Sequence, residues 1–175
     1  THPDRYAEGL LATILGRGMS SRLFTEIREK RGLAYAVGTS ISRFIDTGVF
    51  DTYAGVNPEK AEETIKVILD QSYGVRDGKF PIKKKELDKA KEYIKGKTAL
   101  ALEDTSSVND YIGQRALFLP KIDTPHEYFK KIDKVTVDEV YKAAKEVFVP
   151  EKLNLAIIGP YKSQEQFEKL LGNRS

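Results

Sequence analysis

The sequence contains no cysteine, only two histidines and no long apolar run. Without cysteine there is no disulfide framework, thiol nucleophile or thiolate zinc site, and two imidazoles leave little for a self-contained catalytic metal. The most apolar stretch, residues 153–159, is interrupted by Asn154 and falls far short of the roughly 20 residues a membrane helix needs. Thr1-His2-Pro3-Asp4 lacks the apolar core of a signal peptide, so a cytoplasmic location is the default expectation and no membrane partner is implied. Low-complexity tracts, flexible linkers and fixed-period repeats are missing too, so no internal boundary is evident. With 175 residues, 40% hydrophobic and 31% charged, the chain reads as a single globular domain over residues 1–175.

Charge adds little. Lysine plus arginine is 29 against 26 acids, a net +3, which is weak evidence for a polyanionic partner. Eight lysines gather between residues 79 and 97, interleaved with Leu87, Ala90 and Ile94. That spacing describes the solvated face of a helix, and the stretch has two aromatics, Phe80 and Tyr93, and no arginine, so no nucleic acid is expected.

Helix signals dominate the chain. Behind Pro3, the residues Tyr6, Leu10 and Ile14 recur every fourth position until Gly16-Arg17-Gly18, and a second helix carries Leu23, Phe24 and Ile27 and ends at Gly32. Ser20 or Ser21 is the expected cap of that second helix. Residues 35–44 alternate, with Tyr35, Val37 and Ile41 on one face, and residues 49–56 follow Asp46-Thr47-Gly48, which predicts an antiparallel hairpin. Asn57-Pro58 starts a helix; a longer one runs from Pro81 to about Glu103, bends across residues 104–107 and resumes. Thr124 to Glu127, Thr136 to Glu139 and Ser163 to Gln166 read as capping boxes. Residues 153–159 read as a buried strand. The class is α+β, an antiparallel sheet packed against helices. Three strands are few to cover the apolar faces of about seven helices, so the expectation is a domain lacking its first strand or strands, and a piece of a longer chain.

No catalytic centre is complete. There is no pair of histidines at helical spacing, no His-x-x-Glu-His run, no Gly-x-Ser-x-Gly elbow and no phosphate loop. His126 sits inside a capping box, where helix initiation explains it.

Residues 15–35, Leu15-Gly16-Arg17-Gly18-Met19-Ser20-Ser21-Arg22-Leu23-Phe24-Thr25-Glu26-Ile27-Arg28-Glu29-Lys30-Arg31-Gly32-Leu33-Ala34-Tyr35, are more distinctive. They resemble the motif of the later, zinc-free domains of the pitrilysin and insulinase family of zinc metallopeptidases, which includes mitochondrial processing peptidase. The order of elements after the motif is similar over nearly the whole chain, although Arg17 stands where the family commonly has a third glycine. The resemblance implies a processing-peptidase-like metallopeptidase half-domain with no zinc of its own. It implies a partner, either a zinc-binding N-terminal half or a separate subunit, in which a His-x-x-Glu-His helix holds zinc, and a peptide substrate enclosed between the halves. It also implies auxiliary catalytic roles for Arg28 and Tyr35, which match the family's arginine and tyrosine seven positions apart. A guanidinium can clamp a peptide carbonyl, and a phenol can donate to the oxygen that becomes negative during hydrolysis. A structural or assembly subunit on the same scaffold is the alternative.

Overall fold

The computed structural model describes residues 2–172. One helix organises it. In α1 (Arg5–Gly16) every residue from Leu10 to Gly16 is buried, whichever side of the helix it occupies. A helix apolar all round must be enclosed all round, and α1 is: the strand β1 (Ala34–Arg43) packs on it together with α3 (Lys84–Ala101), α5 (Pro125–Lys134) and α6 (Val137–Val147). Leu10, Leu11 and Leu15 are fully inaccessible, each contributing about 1.5–3 kcal/mol relative to an exposed side chain.

β1 pairs with β2 (Gly48–Val56) as the expected antiparallel hairpin. Val37, Phe50, Ala54 and Val56 pack against the core around α1. The approach is close. Thr39 donates its buried hydroxyl to the Ala12 carbonyl at 2.6 Å, and a Cβ on Gly16 would stand 2.5 Å from Thr39 Cγ2 and 2.6 Å from Thr39 N. Only a residue without a side chain fits where helix and strand cross.

Beyond the hairpin, Asn57 accepts from the Glu59 amide and leads through a short turn into α2 (Ala61–Arg76). The long helix starts at Lys84, three residues after Pro81, and the bend is a break: Asp104 accepts from the Ser107 amide and opens α4 (Thr105–Phe118). Thr124 and Thr136 form complete capping boxes with Glu127 and Glu139 at the starts of α5 and α6. The third box is absent. Ser163 accepts only from the Glu165 amide, at the start of α7 (Glu165–Gly172).

Residues 153–159 are not the buried strand that their composition suggests. No main-chain hydrogen bond involves residues 154–160 among those described, Ile158 is wholly exposed, and Leu155 and Ile157 are more than a third exposed. Phe148 packs edge-on against Phe50 at one end, and Tyr161 donates to the Pro58 carbonyl at the other, so the segment is tethered at both ends of β2 without pairing to it. A strand is defined by its neighbour, and β-branched composition alone does not supply one. Among the described residues the sheet accordingly has two strands.

Gly16→Ala should therefore destabilise the fold by about 1–3 kcal/mol through overpacking, read as a lower urea midpoint; an unchanged midpoint would show that α1 and β1 do not touch as described.

Candidate functional site

The sequence between α1 and β1 folds as a short helix whose C-terminal part, Phe24–Glu29, is π-helical. The Lys30 amide donates to the Thr25 carbonyl, five residues back, at 3.0 Å, and the Leu33 amide reaches the Ile27 carbonyl at 2.9 Å. Leu23 and Ile27, both fully buried, pin the inner side of this turn, and Gly32 at φ +59° redirects the chain into β1. The expected serine cap is not made: Ser21 Oγ is buried without a partner. What fixes the helix is Arg22, bound bidentately to Glu86 at 2.7 Å and donating to the carbonyls of Phe80 at 2.9 Å and Pro81 at 3.0 Å. A guanidinium fork satisfied on both edges holds orientation better than a single hydroxyl. Apolar spacing could not reveal the π-turn, because the buried positions are four apart in either geometry; such turns are over-represented at functional sites.

Arg28 and Tyr35 are brought together on this motif. The Arg28 guanidinium lies 5.1 Å from the Phe24 ring centroid and 5.9 Å from that of Tyr35, within the range of cation–π attraction. Three other cations of the segment are committed. Arg22 is held by Glu86, while Lys30 and Arg31 both bind Glu26. The Arg28 side chain forms no hydrogen bond or ion pair among the described residues.

Tyr35 does not share a face with Val37 and Ile41 as alternation suggests. The ladder slips between Ala34 and Ala36, and Tyr35 stands 86% exposed. A bulge re-aims the side chain at the point of slippage, and here it turns a phenol away from the core and toward Arg28. Arg28 and Tyr35 are both exposed; the pair sits on open ground.

A metal fits poorly here. The described residues contain one cluster of potential ligands, His2, Asp4 and Glu146, but Lys142 already donates to Asp4 at 3.0 Å and lies 3.6 Å from Glu146. An ammonium among the carboxylates occupies the place a divalent cation would need, so this chain's residues do not fit a catalytic zinc.

Residues 1–94, more than half of the chain, match the sequence profile described as the peptidase M16 inactive domain. The chain belongs to that family. It is 37% identical over 170 residues to an uncharacterized zinc protease of Streptomyces coelicolor, an alignment covering 94% of this chain and 35% of that protein. A protease from Helicobacter pylori superposes with a TM-score of 0.75 at 29% identity, over 85% of this chain and 36% of the other. The peptidase M16 inactive domain from Pseudomonas fluorescens gives 0.73 at 26%, over 85% and 35%. The chain thus spans about a third of the length of the relatives it matches. This M16 domain is an α+β unit of the zinc-free type that the motif at residues 15–35 indicated. No helix of the described residues is long and apolar enough to cross a membrane.

The helix bearing Arg28 depends on an ionised Glu26. Bonds from Lys30 and Arg31 hold its carboxyl below the ordinary value of 4.5. A depressed carboxyl contributes stability above its unfolded pKa and loses it as pH falls through the folded one. Glu26→Gln should therefore lower the melting temperature at pH 7 by about 1–3 °C, with the deficit closing as pH drops below 4.5. An equal deficit at pH 7 and pH 3 would contradict the ionic origin.

Proposed function

We propose that this M16 inactive domain helps bind a peptide substrate and completes a zinc site located in another domain or subunit. The supporting observation is the pairing of an uncommitted guanidinium, Arg28, with a phenol that a β-bulge turns outward, Tyr35. Arg28 places N–H donors against a carbonyl of the extended peptide and fixes its position. Tyr35 keeps its proton and donates it as a hydrogen bond to the carbonyl oxygen as charge develops there, so the transition state gains more than the ground state does. Zinc in the other domain supplies Lewis-acid polarisation and activation of water. Both side chains are solvent-exposed in the isolated domain; closure of the zinc-binding half over this face excludes water and strengthens each contact.

The pairing of halves follows from the same reading. A zinc-free domain contributes to hydrolysis only by facing a zinc-binding one, whether on the same polypeptide or on a partner subunit.

Peptide cleavage by the matching zinc half, measured with this domain added, tests the proposal. Arg28→Ala and Tyr35→Phe should each lower kcat by about a hundredfold, the usual loss on removing one oxyanion donor, and Arg28→Lys should restore little because the fork is lost. Unchanged turnover in the alanine and phenylalanine variants would favour a non-catalytic structural or assembly role on the same scaffold.

A further inference from the structure

Where α3 ends and α4 turns back, an open cleft of about 380 Å³ lies between these helices and α5. Ala101 and Leu102 make its apolar side, Tyr111 and Tyr128 its aromatic walls, and Lys97 and Arg115 contribute two positive charges. The volume is that of a small-ligand site, and such sites pair an apolar lining with a few placed polar groups.

Arg115 is pre-positioned. Its guanidinium carbon lies 3.4 Å from the Tyr111 ring centroid and 5.7 Å from that of Tyr128, and Nη1 donates to the Tyr111 carbonyl at 2.9 Å. Arginine carries five N–H donors; this carbonyl takes one of them and the Tyr111 side chain is also contacted. Neither Arg115 nor Lys97 forms an ion pair among the described residues. Asp123 is held by Lys131 and Tyr6, and Asp104 caps the Ser107 amide. Tyr111 donates its hydroxyl to the Asp123 carbonyl at 3.2 Å, whereas the Tyr128 hydroxyl has no hydrogen-bond partner among the described residues, and burial pushes its ionisation upward so that it remains a donor. Two uncompensated cations and a free phenolic donor beside an apolar surface describe a receptor for an anion with an apolar body.

We infer that this cleft binds the free C-terminal carboxylate of a peptide, with Arg115 as the fork, Lys97 and Tyr128 as supporting donors, and the last side chain resting on Ala101 and Leu102. The choice of a peptide as the source rests on the peptide-handling role proposed above; the carboxylate chemistry does not. The assignment is independent of Arg28 and Tyr35, so failure of one reading leaves the other standing.

Calorimetric titration of the full chain with four probes tests it: a hexapeptide ending in leucine, the same peptide amidated, N-acetyl-leucine and inorganic phosphate. The free-acid hexapeptide should bind tightest, and the amide at least about tenfold more weakly, the scale of hydrogen bonds to a charged group. Arg115→Met should weaken the free acid about tenfold or more, and Lys97→Met and Tyr128→Phe by less. α4 buries no residue, so Arg115→Met should keep the native melting temperature, and Lys97→Met provides a second, exposed variant if it does not. Equal binding of acid and amide, or of native protein and both cation variants, overturns the site. N-acetyl-leucine binding as tightly as the peptide, or phosphate displacing the peptide at equal concentration, overturns the peptide C-terminus as its ligand.

Discussion

The enclosure of α1 is the constraint from which the remaining geometry follows. A helix buried on every side leaves its neighbours almost no freedom of placement, and the tightest of those contacts is the crossing of Gly16 and Thr39. That crossing sets where β1 begins and how far the segment 17–33 must travel to reach it. The turn carrying Arg28 is therefore positioned from both ends by the core, while Arg22, reaching to Glu86 and two carbonyls, fixes it from the side. Exposed functional groups on a rigidly anchored loop are a common solution to the conflict between accessibility and order.

Much of this was legible in local sequence. The caps at Asn57, Thr124 and Thr136 and the hairpin turn are decided within a few residues, so their spacing alone predicts them. The pairing of Arg28 with Tyr35 came from resemblance, and its geometry could not have come from periodicity. The outward aim of Tyr35 is a property of strand register, which depends on β2 as much as on β1. The π-turn depends on the placement of Leu23 and Ile27 in a core that the local sequence does not describe. Ser21 illustrates the same limit from the other side: a good capping residue lies buried and unpartnered because a distant carboxylate, through Arg22, controls the helix instead.

The Arg115 cleft went unread for a different reason. Lys97, Arg115 and Tyr128 lie on three separate helices, and none belongs to a recognisable spacing. Their convergence is produced by the break at Asp104, which folds α4 back so that its arginine meets phenols from α4 and α5. Ile112 follows Val108 at helical spacing, yet it is among the exposed side chains and α4 buries nothing.

The bare backbone of residues 154–160 carries a consequence for recognition. In water its amides and carbonyls are hydrated at little cost, but any surface that dried them without replacing those bonds would incur a penalty of a few kcal/mol for each orphaned group. A greasy helix laid over Ile157 and Ile158 would meet that penalty repeatedly. An extended polypeptide would not, since it brings its own alternating donors and acceptors. Covering the segment is therefore least costly for a surface that brings an extended main chain of its own.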